Sequence, residues 1–419
     1  MAILRPFRAL RPQPDQAAAV AAVPYDVVNT AEARDLAADN PLSFLRVSRP
    51  ELELPADTDP YADAVYAAAA ANFARLRDAA PLVEEMSPSI YVYRLRMGMH
   101  EQTGVAACFS VDEYERNLIR KHERTRKDKE DDRTRHILSL RAQTGPVLLT
   151  YPASEEIGEI VNRATDAPPI FDFTAPDGIT HTVWLVAQAD CDELIDAFER
   201  IPLLYIADGH HRAASAMRAR EALAGSATAA APGTAPSAGQ SAGGTEADAF
   251  LAAAFPHDQM QVLPYHRAVK DLAGQTPSAF LEAVSAQLDV SPGSDTPAGK
   301  GEVSMYLDRQ WHTVRLAVAP NDAPEADRLD VSLLHSQVLE PLLGIGDPRT
   351  DKRIDFVGGI RGPKALAALV DSGAVAVAFV MHPVSVEDLM RIADADEIMP
   401  PKSTWFEPKL RDGLLSHLI

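Results

Sequence analysis

Residues Asp208 to Arg212, with the sequence DGHHR, place a carboxylate, two imidazoles and a guanidinium around a single glycine. They follow the apolar run IPLLYIA, which has the length of a β-strand, and they open the segment HRAASAMRAREAL, which is rich in helix formers. The first turn of a helix presents N–H groups without helical partners and the positive end of the helix dipole, and both attract anions. The sequence therefore predicts a strand–turn–helix that binds phosphate.

Each residue of this DGHHR turn has an expected role. Gly209 lets the backbone turn tightly and approach a ligand, while the two histidines and Arg212 supply side-chain donors. Asp208 is a candidate to bind Mg²⁺ or to orient a histidine, and a plain helix N-cap is an equally good interpretation. Adjacent helical histidines do not face each other, so His210 and His211 form a poor zinc pair. The alternative to phosphate binding is a buried, hydrogen-bonded histidine with Arg212 paired to a surface acid.

A second group of candidates lies in the charged segment 112–141, which contains ten Lys or Arg and eight Asp or Glu. Its subset KHERTRKDKEDDR concentrates side chains that can bind phosphate or transfer protons. Most such runs are solvent-exposed helix faces with weak ion pairs, and the residues alone favour that interpretation over a phosphate clamp. The side chains concerned are Lys121, His122, Glu123, Arg124, Thr125, Lys129, Asp132 and Arg133.

Further segments carry weaker signals. In VPYDVV, Asp26 lies between a proline turn and two valines, and a turn acid is a safer interpretation than a catalytic acid. LPYHR (263–267) and DKRIDFVGG (351–359) are modest signals. His266 and Arg267 are candidates to reach the same pocket, but a structural role at the edge of a strand is the better interpretation. The C-terminal segment MPPKSTWFEPKLRDGL (399–414) has aromatic residues between prolines. Because free chain ends are usually polar, we expect this segment to dock, either as structure or as a lid over the site.

The composition limits the classes of function. The chain has 419 residues, 46% of them hydrophobic, and a formal net charge of −20. This length is enough for two or three domains with their own cores, and the negative charge argues against nucleic acid as the main partner. With only two cysteines, a disulfide framework and a cysteine-based zinc site are unsupported. We see no signal-peptide pattern and no run long enough to span a membrane, so we expect a cytoplasmic protein.

The order of the predicted elements indicates an α/β (α+β) fold. We place a first part at 1–270 and a C-terminal α/β domain, including the docked tail, at 271–419. The Ala/Gly/Ser/Pro-rich segment 224–248 can bury little apolar surface and is predicted to be a flexible insertion. SFLRVSR (43–49) is predicted as a strand, and residues 89–97 and 103–111 as a hairpin. The common glycine-rich nucleotide motifs do not occur, and a homo-oligomer is compatible with the sequence.

Five blocks of the sequence resemble, in the same order, the successive signatures of the domain of unknown function family 1015. They are VPYDVVNTAEARDLAADNPLSFLRVSRPE, KHERTRKDKEDDR, YIADGHHRAASA, LPYHR and MPPKSTWFEPKL. The turn ADGHHR is also similar to the phosphate-binding loop of the ParB/sulfiredoxin superfamily, which includes free serine kinases with a nearly identical turn. The resemblance implies a ParB/sulfiredoxin-like nucleotide-binding core accompanied by a second α/β domain.

Position by position, this resemblance implies roles for the turn. Gly209 and the first-turn N–H groups would cradle phosphate, His211 and Arg212 would donate to it, and Asp208 would lie beside the transferred group or its metal. His210 stands where a sulfiredoxin has its reactive cysteine, so repair of cysteine sulfinic acid is not expected, and the −20 charge does not fit DNA clamping. The family pattern also implies site roles in the charged segment, for some of His122, Glu123, Thr125, Lys129, Asp132 and Arg133.

The leading hypothesis is a nucleotide-dependent phosphotransferase that uses ATP or ADP and Mg²⁺ and acts on a small hydroxyl compound, with free serine as the nearest analogue. Asp208 is the first choice for the carboxylate that binds the metal or takes the proton, with Asp26 and Glu123 in reserve, and His211 is a further catalytic candidate. Two alternatives stay open at this point. A nucleotide sensor or adaptor needs tight binding alone, and a phosphoester hydrolase would use the same residues with water as the acceptor.

Overall fold

The computed structural model describes residues 2–79, 82–229 and 244–419. The chain divides into two compact units, one formed by residues up to Met260 together with Pro408–Ile419, the other by Gln261–Glu407. This division differs from the sequence-based one at 270 in two ways. The boundary lies about ten residues earlier, and the last segment of the chain returns to the first unit.

The first unit contains strands β1 to β12 and helices α1 to α9. The strands are β1 Leu4–Arg5, β2 Ala9–Arg11, β3 Val83–Glu84, β4 Tyr91–Met97, β5 His100–Ser110, β6 Ile119–Arg120, β7 Ala142–Gln143, β8 Val147–Tyr151, β9 Phe171–Thr174, β10 Thr180–Leu185, β11 Leu204–Asp208 and β12 Ala249–Pro256. The helices are α1 Ala17–Val20, α2 Thr30–Ala37, α3 Leu45–Ser48, α4 Asp63–Ala79, α5 Val111–Glu115, α6 Lys127–Leu140, α7 Glu155–Thr165, α8 Gln188–Glu199 and α9 His210–Ala229.

A nine-stranded mixed sheet forms the centre of this unit, in the order β6-β11-β8-β12-β5-β4-β10-β9, with β1 paired to β5. β4 and β5 form the predicted hairpin, with Met97 opposite His100. All eight residues of β12 are buried, as expected for a central strand. β11 runs parallel to β6 and antiparallel to β8, so its end at Asp208 lies beside the segment that follows β6.

Helix α9 lies against α6, the helix of the charged segment. Small buried residues make the close approach possible, since Ala213, Ala214 and Ala216 are almost inaccessible and the Ser215 hydroxyl donates to the Glu130 carbonyl at 3.2 Å. The long charged run therefore has one face buried against the helix that begins at the DGHHR turn.

The prediction of a strand at SFLRVSR was wrong, because residues 45–48 form the short helix α3. Phe44, Leu45 and Val47 are all buried, and the spacing of three between Phe44 and Val47 places both on one side of a helical turn. Arg46 fixes this turn by donating to the carbonyls of Ala37 at 2.7 Å and Asn40 at 3.2 Å. Burial of Phe44 and Val47 decided the structure here against their β-propensity.

The second unit contains strands β13 to β20 and helices α10 to α14. The strands are β13 Gln261–Leu263, β14 Tyr265–Val269, β15 Asp289–Pro292, β16 Glu302–Leu307, β17 Gln310–Arg315, β18 Ile354–Gly358, β19 Val377–Met381 and β20 Trp405–Glu407. The helices are α10 Pro277–Ser285, α11 Asp330–Leu334, α12 Glu340–Leu343, α13 Gly362–Asp371 and α14 Val386–Asp394. Six strands form one sheet in the order β15-β17-β16-β19-β14-β18, and β13 pairs with β20. The predicted α/β class is confirmed.

The last strand, β21 Ser416–Leu418, belongs to the first unit. It lies between β2 and β7 in a four-stranded sheet of order β3-β2-β21-β7, with His417 opposite both Ala9 and Gln143. These pairings explain why the end of the chain returns to the first unit. The predicted insertion at 224–248 begins inside α9, which extends to Ala229, and residues 230–243 lie outside the described residues. In the described ranges, every helix is too short or too polar to cross a membrane.

Candidate functional site

The predicted strand–turn–helix at the DGHHR turn is confirmed. β11 ends at Asp208, α9 begins at His210, and Gly209 between them has a φ of +94°, a conformation that residues with a side chain rarely adopt. A Cβ atom at Gly209 would also lie only 2.9 Å from Nε of Arg212. The 20-residue helix α9 therefore begins directly after a position where both the backbone conformation and the nearby Arg212 side chain favour glycine.

The carboxylate of Asp208 is held by a residue from the other end of the chain. One oxygen accepts a hydrogen bond from the Gly209 N–H at 2.8 Å, and the other accepts one from Nζ of Lys409 at 2.8 Å. Burial alone would raise the pKa of Asp208, but the charges of Lys409 and Arg212 keep it well below its ordinary value. Asp208 is thus ionised and paired with Lys409. Its carboxylate accepts from the N–H of the next residue, Gly209, and not from the helix N–H groups two or three residues further on, as a helix N-cap would.

Arg212 points into a small polar cavity. Its guanidinium donates to the Pro146 carbonyl and lies 4.0 Å from the Asp208 carboxylate. The cavity has a volume of about 40 Å³, which suits a few water molecules and is too small for a nucleotide. Its polar lining comes from Tyr25, Ser48, Arg133, His136, Gln143, Thr144, Arg212 and Asp412.

The cavity also holds a carboxyl group with an unusual pKa. Burial raises the pKa of Asp412 to about 7, even though the charges of Arg212 and Arg133 act in the opposite direction. Among the described residues, Nε of Arg212 and Oδ1 of Asp412 have no hydrogen-bond partner. These two atoms are suitable partners for water in the cavity.

His211 presents an imidazole whose tautomer follows from its contacts. Its Nε2 accepts a hydrogen bond from the Arg126 N–H at 3.0 Å, which places the proton of the neutral ring on Nδ1. Burial lowers the pKa of His211, while the charges of Asp26 and Glu130 oppose that change. The Asp26 charge acts on Arg212 as well. The structure therefore brings the exposed Asp26, distant in sequence, to the same end of α9.

The other histidine of the turn, His210, faces His122. Their Nε2 atoms lie 3.4 Å apart, the rings meet edge to face, and both side chains are at most 5% exposed. Burial lowers the pKa of both rings, in His122 to about 4. Glu123 is exposed beside them, and one ligating atom of each of the three residues lies within 4.8 Å of the other two. In the described part of the chain, this group has the spacing of a metal site.

The remaining candidates of the charged segment have different surroundings. The Thr125 hydroxyl donates to Glu130, which also accepts from Arg218 at 3.2 Å. Lys129 is half-buried, with its Nζ 3.2 Å from the Tyr61 hydroxyl. Thr125 and Lys129 therefore have local structural partners, and their predicted site roles stay predictions.

Arg133 lines the cavity. It pairs with Asp132 at 2.8 Å and lies over the Tyr25 ring at 4.2 Å. The sequence did not assign roles to Tyr25, Lys409 or Asp412. Lys409 and Asp412 stand in or just after a block that resembles a family signature, but their separation from the turn by about two hundred residues leaves no local pattern that would connect them.

The segments LPYHR and DKRIDFVGG meet in the second unit, where β14 pairs with β18. His266 accepts a hydrogen bond from the Met381 N–H at 3.2 Å, and Arg267 is buried over the Phe356 ring. Both residues thus have structural contacts within their sheet.

Comparisons with known proteins give one family. The model of the family described as "Protein of unknown function (DUF1015)" matches residues 4–332. No curated protein matches the sequence.

Several solved structures are similar to the chain. A free serine kinase in complex with AMP is 11% identical, with 74% of this chain and 91% of that chain covered and a TM-score of 0.34. A conserved hypothetical protein from Pyrococcus furiosus is 14% identical over 75% of this chain and 95% of its own, with a TM-score of 0.33. SbnI with C-terminal truncation from Staphylococcus aureus is 12% identical over 75% and 87%, with a TM-score of 0.37.

Proposed function

We propose that this chain, which belongs to the DUF1015 family, is a nucleotide-dependent phosphotransferase that acts on a small hydroxyl compound. The observation that supports this most directly is the DGHHR turn, where the amide-rich end of α9 meets a neutral imidazole and two cationic side chains. Free serine is our first candidate acceptor, because the turn resembles that of free serine kinases. ATP or ADP is the phosphate donor in this proposal.

The phosphate contacts would come from the start of α9. The first N–H groups of a helix have no helical partners, and the positive φ of Gly209 forms the tight turn that directly precedes them. His211 carries its proton on Nδ1, since Nε2 already accepts from Arg126, and this N–H can donate to a phosphate oxygen. Lys409 adds a positive charge at the same turn. These groups would position the phosphate and neutralise its charge, which are the main needs of phosphoryl transfer.

We assign the proton acceptor to Asp26 rather than Asp208. Asp208 is paired with Lys409 and has a lowered pKa, so it is a weak base. Asp26 is exposed and close enough to influence His211 and Arg212 electrostatically. In the proposed step the acceptor hydroxyl oxygen bonds to the terminal phosphorus, its proton passes to Asp26, and the bond to the remaining nucleotide breaks.

Magnesium would neutralise phosphate charge when it is bound with the nucleotide. Asp208 fits this ion only after Lys409 releases it, because the ammonium group occupies one carboxylate oxygen at 2.8 Å. The assignment of Mg²⁺ to Asp208 therefore stays a prediction that requires Lys409 to move.

Phosphorus NMR spectroscopy tests the proposal. Purified protein is incubated with Mg²⁺ and ATP or ADP, with and without serine, alongside the variants His211→Ala and Asp26→Asn. His100→Ala, at the tip of the β4–β5 hairpin, is the matched control. We expect a phosphomonoester signal that requires serine, persists in the control, and forms on the order of 10²–10⁴ times more slowly in Asp26→Asn.

Other outcomes identify other functions. Inorganic phosphate that depends on His211 but not on serine would indicate a hydrolase. Nucleotide line broadening without turnover would indicate a sensor or adaptor. Unchanged spectra in every sample would contradict nucleotide binding at the turn and remove the basis of the proposal.

A further inference from the structure

The His122–His210 pair has the geometry of two ligands on one metal ion. Their Nε2 atoms are 3.4 Å apart. With Zn–N bonds of about 2.0–2.1 Å and a tetrahedral angle, two imidazole nitrogens on zinc lie about 3.3–3.4 Å apart. By contrast, N–H hydrogen bonds in proteins usually span about 2.7–3.2 Å. The observed spacing matches two ligands on one ion, and the same contact also satisfies the geometry of a long N–H···N hydrogen bond.

Both imidazoles are fixed in position before any ligand arrives. His122 follows β6 and His210 is the first residue of α9, and β6 pairs with β11, which precedes α9. Their side chains are 2% and 5% exposed, so packing restricts both rings. A site with such rigid ligands loses little conformational entropy when it binds an ion.

Glu123 is the third candidate ligand, and it is exposed to solvent. Its carboxylate belongs to the residue next to His122, and one ligating atom from each of the three residues lies within 4.8 Å of the other two. Two histidines and one carboxylate leave a fourth position for water or another ligand.

We infer that His122, His210 and Glu123 form a binding site for a divalent transition-metal ion of the zinc type. Imidazole nitrogens favour such ions, whereas Mg²⁺ and Ca²⁺ prefer oxygen ligands, so this site is distinct from any magnesium that accompanies a nucleotide. The site does not depend on the proposed phosphotransferase activity, because it is defined by its own ligands and can be tested without nucleotide.

Calorimetric titration with ZnCl₂ of chelator-treated full-length protein tests the inference. We expect one tight site per chain in the wild type and in the control His100→Gln. His122→Gln and His210→Gln should lose this site, and Glu123→Gln should weaken it by about tenfold or more. Visible absorption with Co²⁺ in place of Zn²⁺ should show a tetrahedral spectrum that disappears in the same variants.

The exposed Glu123 keeps the test informative if a buried histidine variant does not fold, which circular dichroism would show. Equal zinc affinity in Glu123→Gln and the wild type would overturn the three-ligand site. Absence of a tight site in the wild type would overturn it as well, and would leave the histidine pair as a hydrogen-bonded structural contact. Failure of nucleotide turnover alone would affect only the proposed function.

Discussion

Replacement of Lys409 by methionine should destabilise the first unit through Asp208. Methionine keeps most of the side-chain length but removes the ammonium group that donates to Asp208 at 2.8 Å. The Asp208 carboxylate would keep Arg212, at 4.0 Å, as its nearest remaining ion-pair partner. This change removes the hydrogen-bonded ion pair between the C-terminal segment and the DGHHR turn.

The expected loss of unfolding free energy lies between the value for an exposed ion pair and the value for a fully buried one. Breaking a buried ion pair costs about 3–5 kcal/mol, and exposed pairs are worth about 0–1 kcal/mol. The side chains of Lys409 and Asp208 are 13% and 29% exposed, so solvent screens the pair in part. We therefore expect a loss of about 2 kcal/mol, the usual value for a hydrogen bond to a charged group. For a unit of this size the loss lowers Tm by roughly 4–8 °C.

Urea denaturation and calorimetry at pH 7 measure this effect. The pKa of Asp208 is lowered in the folded state, so its stabilisation is complete above the ordinary Asp value of about 3.9 and is lost only as the pH falls towards the folded value. Lys402→Met is the matched control, because Lys402 is an exposed lysine of the same C-terminal region. Its free energy of unfolding should change by less than about 0.5 kcal/mol.

A double-mutant cycle with Asp208→Asn separates the pair from other effects. If Lys409 acts through Asp208, the double variant should be less destabilised than the sum of the single variants, by about 1–2 kcal/mol. Additive losses would refute the reasoning, since they would show that the two side chains stabilise the fold independently.

Three further predictions concern the same unit. Because the pKa of Asp412 is raised to about 7, its folded form keeps the proton that the unfolded chain has lost, so the contribution of Asp412 to stability should fall by about 3 kcal/mol between pH 5 and pH 8. In urea titrations the difference in unfolding free energy between the wild type and Asp412→Asn should change by that amount over this range, whereas the difference for the exposed Asp39→Asn should stay constant. Gly209→Ala should lower the free energy of unfolding more than Gly178→Ala does. Both glycines have positive φ, so each alanine costs roughly 1–2 kcal/mol of backbone strain, but only at Gly209 does the new methyl group also meet Arg212. Equal losses in the two variants would contradict this close contact. Replacement of residues 230–243 by a short Gly/Ser linker should leave Tm unchanged within about 1 °C, because the segment has few large apolar side chains. A clear drop in Tm would show that the segment contributes to the fold.

The local part of the site could be predicted from the sequence. The apolar run before Asp208, the glycine and the alanine-rich stretch after it fix a strand, a turn and a helix through their own propensities, and all three are present. The β4–β5 hairpin was equally predictable, because apolar and polar residues alternate in the two runs on either side of the turn.

The long-range contacts were not accessible in this way. Lys409 reaches Asp208 across 201 positions, and β21 joins a sheet with strands from the start and middle of the chain. Such pairings depend on how whole elements pack, and no residue spacing records them. The short segment 45–48 shows the same limit on a smaller scale, since burial of Phe44 and Val47 overrode their preference for a strand.

Nucleotide binding at the DGHHR turn is tested most directly by calorimetric titration of ADP into three proteins, the wild type, His211→Ala and His100→Ala. A hydrogen bond to a charged phosphate is worth about 1.5–3 kcal/mol, so His211→Ala should weaken binding by roughly 10- to 100-fold while His100→Ala binds like the wild type. Equal ADP affinity in all three proteins, or no binding to the wild type, would contradict a phosphate site at the start of α9.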